Sequence, residues 1–430
     1  MREHKTALFT SYIIGGLLVL LPFHAVLSTW LGSNVGHLDL VRIWKEILIT
    51  VLAVPALWLF FKSPALRTWG RRSFLAQLIA LYFLIHFALG IWGLKHNQLN
   101  STALIYALII NLRFLGFFLV CLSVSAYSDW LYKYWLRLLL LPAALVIGFG
   151  LLQKFVLPYD FLKHFGYSPK TIPAYQTVDS DLNFRRIQST LRGANPLGAY
   201  LVLIIPALTF VRNRAWRVIG LVGGFVVLYF SYSRSAWIGL LAALALLGLW
   251  HFGGSKKSKE ILAIVAVLFL VACTGVYALR GNHNAQDALF HTSSASANVS
   301  SNAQRATAIK DAAYDVLHNP LGRGPGTAGP ASFRNTGHPA RIAENYYLQI
   351  AQETGVLGMI IFLIINGMVG WQLWLSRQDN LAKVLLVSLA GITLVNLVSH
   401  AWTDDTLSLI WWGLAGVALA ALPKRGVKNW

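Results

Sequence analysis

Charge is scarce in this chain. Only 12% of its 430 residues are charged, about half the share usual in a soluble domain, which argues against an ordinary solvent-facing globule. Acidic residues are scarcest: 16 Asp and Glu against 36 Lys and Arg leave a formal charge of +20. Cysteine is nearly absent. Cys121 and Cys273 both lie inside apolar runs. They provide neither a disulfide framework nor a metal-binding spacing, and both read as small buried hydrophobes. No soluble stretch of ordinary domain size interrupts the chain. One transmembrane domain over 1–430 therefore replaces the several domains that length alone would suggest. In a soluble protein the basic balance would point to nucleic acid. Here much of it lies in short loops, where membrane orientation accounts for it, and no nucleic-acid partner is expected.

What the chain has instead is apolar sequence. Hydrophobic residues make up 56% of it, in runs of about 17 to 25 residues, the length that crosses a hydrocarbon core of about 30 Å. The expected fold is an all-α polytopic membrane protein of twelve spans. They fall near 8–31, 44–61, 74–94, 103–126, 134–156, 196–211, 217–233, 236–252, 261–279, 354–374, 383–400 and 406–422. The first run is too long, and too poor in a small-residue cleavage site, for a removed signal peptide. If the spans alternate, one side collects Arg2, Lys5, Lys62, Arg67, Arg71, Arg72, Lys133, Arg212, Arg214 and Arg217. The same side takes Lys256, Lys257, Lys259, Arg377, Lys383, Lys424, Arg425 and Lys428, whereas the opposite short loops hold little beyond Arg42, Lys45 and Lys95. Basic short loops stay in the cytoplasm, so both termini are expected there. The two long connections, 157–195 and 280–353, then face the periplasm or its equivalent, as do the turns at Arg234 and Asp404.

The polar residues on that outward face suggest anion chemistry. In Arg185-Arg186-Ile187-Gln188-Ser189-Thr190-Leu191-Arg192-Gly193-Ala194-Asn195-Pro196, three arginines lie beside a helix-starting proline. Guanidinium forks bind phosphate bidentately, and the amide-rich start of a helix favours anions; anchoring to lipid headgroups is the plainer alternative. Arg234, in Ser231-Tyr232-Ser233-Arg234-Ser235, sits between two apolar helices with no acid nearby, where an arginine needs a specific partner or must snorkel. Arg305 stands near the start of a helix-spaced stretch, 305–317, with Ala308, Ala312 and Val316 on one side. The turn Asn319-Pro320-Leu321-Gly322-Arg323-Gly324-Pro325-Gly326 is rich in close-approach residues and adds Arg323.

Carboxylates and histidines supply candidate bases. Glu344, at the base of the second long loop, is placed to take a proton from a hydroxyl, or merely to favour the helix that Asn345, Tyr347 and Leu348 open. His338, six residues earlier, is the rival base. Asp404 and Asp405 form a last pair, with His400 one helical turn before them, able to counter an arginine, to assist a base or simply to be solvated. Asp179-Ser180-Asp181 could hold a divalent metal against a diphosphate. Such short matches arise often by chance, the neighbouring arginines can neutralise a diphosphate unaided, and no metal is expected.

Four stretches together resemble the O-antigen ligase and O-antigen polymerase superfamily of bacterial membrane glycosyltransferases. They are Arg186 to Leu201, Ser233 to Ala236, Arg305 to Gly326, and Glu344 to Gly358, covering about residues 185–360. The resemblance implies a GT-C-like bundle with a large periplasmic loop at 280–353 carrying the active site. It implies inner-membrane localisation and a metal-independent, inverting transfer from an undecaprenyl-diphosphate-linked glycan, with no cofactor. By motif position, Arg234 and Arg305 correspond to the family's two essential arginines. Glu344, not His338, stands where its ligases have a histidine, and Asp404 or Asp405 corresponds to its acidic residue near the final spans. On this reading Arg186, Arg192, Arg234, Arg305 and Arg323 bind the diphosphate, Glu344 or His338 is the base, and Asn345, Tyr347, Asp404 and Asp405 support them. The acceptor is a lipid A core for a ligase, or a glycan repeat for a polymerase. A non-catalytic lipid-glycan transporter would instead show internal repeats and paired charges at mid-membrane. Arg113 is the clearest charge inside a span, and no repeat is evident.

Overall fold

The computed structural model describes residues 1–178, 181–251 and 301–420, and these are mostly helical. The apolar runs become α1 (Arg2–Leu20), α2 (His24–Val35), α4 (Trp44–Lys62), α6 (Phe74–Lys95), α7 (Ser101–Ser125) and α8 (Trp130–Phe155). Short α3 (Leu38–Arg42) and α5 (Pro64–Arg72) join them. After a hairpin of β1 (Gln176–Val178) and β2 (Asp181–Arg186) come α9 (Ala194–Leu208), α10 (Arg214–Phe230) and α11 (Arg234–His251). The last four are α12 (Ser301–His318), α13 (Tyr346–Leu375), α14 (Asn380–Asn396) and α15 (Asp405–Ala420).

Eleven of the expected spans coincide with these helices; the ninth, 261–279, lies outside the described residues. By length and apolarity, six of the described helices can cross a membrane: Arg2–Val35 taken as one, α4, α6, α7, α8 and α13. Helices α9, α10, α11, α14 and α15 run only 15 to 18 residues. The hairpin within 157–195 was not expected. Its strands pair Gln176 with Arg186 and Thr177 with Arg185.

The interior is packed closely enough to exclude larger side chains. Gly239 of α11 and Gly391 of α14 meet backbone to backbone, so that a Cβ at 239 would stand 2.7 Å from the Gly391 carbonyl oxygen. Small residues permit that approach where lipid gives no hydrophobic drive. Helix α15 lies along α7 and buries Trp411 and Trp412 completely. Large apolar residues on α4 and α8, such as Val54 and Leu141, remain exposed, as suits faces turned to lipid.

Helix α13 breaks at Gly355, whose φ of +73° leaves the helical region. The turn 319–326 enters the break. Val356 N–H donates to the Pro320 carbonyl, while Arg323 and Gly324 N–H groups donate to the Gln352 and Glu353 carbonyls, each at 2.9 Å. The Glu353 carboxylate is buried. It accepts the Gly326 N–H at 2.7 Å and the Asn111 side-chain amide at 2.6 Å. The glycine-rich turn thus docks against the bundle. Each of its partners replaces water for a backbone group that apolar surroundings would otherwise strand.

Replacing Gly355 by alanine forces a side chain into positive φ and brings its Cβ within 2.6 Å of the Pro320 carbonyl oxygen. A cost of about 1–3 kcal/mol is expected, seen as a lower thermal midpoint in detergent. Gly367→Ala, in the same helix with nothing near the added methyl, serves as control. Equal midpoints for the two variants would contradict this account of the break.

Candidate active site

The stretch after β2 is turned apart residue by residue. Arg185 is exposed and lies over the Tyr159 ring, 4.3 Å from its centroid. Arg186 Nε donates to the Ser231 carbonyl at 2.9 Å and its terminal nitrogen to Asn195 Oδ1. The next five residues, Ile187 to Leu191, are buried. Gln188 and Ser189 N–H groups donate to Gln153 Oε1, and Thr190 Oγ1 donates to the Pro22 carbonyl. Ser189 has a φ of +52°, which redirects the chain toward Arg192. The Ala194 N–H donates to Gln176 Oε1 at 3.0 Å, so the hairpin caps α9.

Arg192 opens onto a cavity of about 240 Å³. Gly193, Asn195, Pro196 and Ala199, from the start of α9, form one wall with Gln176. Arg305 and Glu344 form a second, and Ser399, His400, Ala401, Thr403 and Asp404 a third. Glu344 reaches the site by local strain: its φ is +49°, costly for a non-glycine residue. Its carboxylate lies 3.6 Å from Arg305 Nε, both side chains about one-third exposed. The segment beyond is stitched to the third wall. Tyr346 N–H donates to the Ser399 carbonyl at 3.1 Å and the Asn345 side chain to Leu397 at 2.9 Å, while Asn345 Oδ1 caps α13 at Leu348 N–H. These bonds set Glu344 across from His400. Tyr347 is buried in the packing below.

The other sequence candidates lie elsewhere. Arg323 donates from Nε and a terminal nitrogen to Asp315 at 3.1 and 2.7 Å. Asp315 also accepts from Gln352, and this ion pair fastens α12 to the turn. Burial raises the Asp315 pKa, but Arg323, Gln352 and Arg341 outweigh it and leave it below the ordinary value. His338 is exposed and bonds through Nε2 to the Asn97 carbonyl at 3.0 Å; Glu344, and not His338, meets Arg305. Arg234 is the first residue of α11, half-buried. Its neighbour Ser233 presses on Gly198 of α9, one residue from cavity-lining Ala199. Neither Arg186, Arg234, Arg323 nor His338 is among the cavity's lining residues. Asp179 and Ser180 lie outside the described residues. Among the described residues, no three His, Cys, Asp or Glu side chains are grouped to hold a metal ion.

The acidic pair divides. Asp404 lines the cavity and caps α15, its Oδ1 accepting the Leu407 N–H at 3.0 Å. Burial, and then the adjacent Asp405, push its pKa up. Asp405 turns the other way, into a cluster that sequence reading did not assemble. Its carboxylate meets Arg113, Lys45 at 2.8 Å and His24 at 3.2 Å. Arg113, read from sequence as an isolated charge, also bonds Glu46 at 2.7 Å. His400, one helical turn before Asp404 in sequence, lines the same cavity. Burial lowers its pKa; Glu344 opposes that shift, and Arg192 and Arg305 reinforce it. The imidazole is thus favoured in its neutral form beside two guanidinium groups.

Because the folded state resists protonating His400 while the unfolded chain does not, stability falls as pH drops below about 6.5. It is insensitive to this group at higher pH. His400→Gln should therefore flatten the decline of thermal midpoint between about pH 6.5 and 5 in detergent. Parallel curves for the two proteins would rule this out.

Residues 219–363, about a third of the chain, match the family model described as O-antigen ligase. No curated protein matches the chain. The matched segment contains Arg234, Arg305 and Glu344, while Arg192, His400 and Asp404 reach the cavity from outside it. Several of the described helices are long and apolar enough to span a bilayer, and the match over residues 219–363 makes this part of the chain similar to the O-antigen ligase family of bacterial membrane proteins.

Proposed function

We propose that the protein moves a glycan from an undecaprenyl-diphosphate carrier to an acceptor hydroxyl at the periplasmic face of the inner membrane, in the manner of an O-antigen ligase. The observation that carries the reading is the cavity itself: Arg192 and Arg305, the capped start of α9, and the strained Glu344 all open onto one space. Twelve alternating spans with both termini cytoplasmic would put that space at the outer membrane surface, level with a carrier lipid's head group.

In the proposed reaction, Arg192 and Arg305 bind the diphosphate, with Arg234 approaching from the start of α11. Fixed positive charge stabilises the diphosphate as the bond to the anomeric carbon breaks. Glu344 accepts the proton of the acceptor hydroxyl, whose oxygen attacks from the opposite side, so a single displacement inverts the anomeric centre. No nucleotide is needed, because the diphosphate is the leaving group.

Transfer of host lipid-linked glycan by purified protein tests this. Arg305→Ala or Arg192→Ala should slow it by about 10²–10³-fold, and Glu344→Gln by about 10²–10⁴-fold, with the protein still in the membrane. Wild-type rates in these variants would overturn the assignment. Product on a lipid A core identifies a ligase; lengthened lipid-linked chains identify a polymerase. The rival reading is a non-catalytic carrier of lipid-linked glycan. The buried ion pairs around Arg113 favour it, since transporters pair charges inside the bundle. It predicts movement of donor between leaflets with no new glycosidic bond.

A further inference from the structure

The charge cluster beside the cavity is built from elements far apart in sequence. Arg113, 7% exposed, projects from α7 and bridges three groups: the Glu46 carboxylate on α4, the Asp405 carboxylate, and the Thr403 carbonyl oxygen at 2.9 Å. Lys45, only 3% exposed, bridges Asp405 and Glu46 at 2.8 and 3.1 Å, and its Nζ also reaches His24 and the Arg42 carbonyl. Two cations and two anions thus neutralise one another out of water. Desolvating them is expensive, and an apolar core of similar volume is often at least as stable. Stability alone is a poor reason for this cluster.

What it holds is the third wall of the cavity. Thr403 and Asp404 line that cavity together with His400, and Thr403 N–H and Oγ1 both bond the His400 carbonyl. Arg113 grips this segment at the residues on either side of Asp404. By α-helical rise, Arg113 is about 18 Å along α7 from Ser101, so the hold on this wall comes from within the helix and not from its end.

We propose that Arg113 is a positioning residue for the site: through Thr403 and Asp405 it sets His400 and Asp404 against Arg305 and Glu344. The inference rests on the proposed glycan transfer. A displacement of about 1 Å in such a wall costs about 10²-fold in rate, without removing the arginines that bind diphosphate.

The test measures farnesyl diphosphate binding and host lipid-linked glycan transfer by detergent-purified protein. Arg113→Met should leave binding affinity and stoichiometry within about 2-fold while turnover falls by about 10²-fold, and Arg113→Lys should recover part of the loss. Since Arg113→Met leaves an anion unpaired, Arg113→Met/Glu46→Gln is made alongside. It leaves Lys45 and Asp405 as a balanced pair and should recover thermal stability but not turnover. Turnover restored by the double variant, or retained by Arg113→Met, would overturn the proposal. So would a parallel loss of binding stoichiometry and turnover in the double variant, which would make the role purely structural. If wild-type protein binds farnesyl diphosphate without dependence on Arg192 and Arg305, the parent reading fails instead.

Discussion

A guanidinium withdrawn from water must find its counter-charges inside the protein, and Arg113 finds Glu46 and Asp405. That requirement draws α4, α7 and the start of α15 to one point. Because Asp404 precedes one of those counter-charges, the same contact decides where the cavity has its inner wall. The apolar packing of α7 against α15 supplies most of the adhesion, but it has no direction along the helices. The ion pairs supply the register.

Helix α7 extends this logic along its length. Asn100, at its start, donates to the Arg334 carbonyl and Thr336 Oγ1; Asn111 donates to Glu353; Arg113 holds the 403–405 segment. These three residues, one capping the helix and two along its apolar length, each hold a different part of the chain. Polar groups in apolar surroundings are costly unless bonded, so each fixes its partner's position. Of these, the 403–405 segment is the one that lines the cavity.

The apolar runs made the helices legible, because a bilayer demands a length and composition that few other structures share. Helical spacing located α12, with Ala312 and Val316 buried as expected, and Asn345 read correctly as the residue opening α13. The site was legible only in part. Arg185, Arg186 and Arg192 looked like one cluster, but the side-chain alternation of β2 and the positive φ at Ser189 send them to three surroundings. Adjacent Asp404 and Asp405 looked alike, yet one faces the cavity and the other the interior, because a helix starts between them. The partners of Arg113 lie 67 and 292 residues away, a separation that no local pattern encodes. Glu344 and its rival His338 part in the fold, Glu344 meeting Arg305 and His338 the Asn97 carbonyl.

The break at Gly355 bears on how the helix is completed. Residues 356–375 form an apolar helix whose backbone groups, its ends apart, are bonded within itself. Residues 346–354 cannot be completed alone. Their terminal carbonyls, and the buried Glu353 carboxylate, are answered by 322–326 and Asn111, groups from separate parts of the chain. Closure of the turns before the break therefore depends on the 322–326 loop being seated.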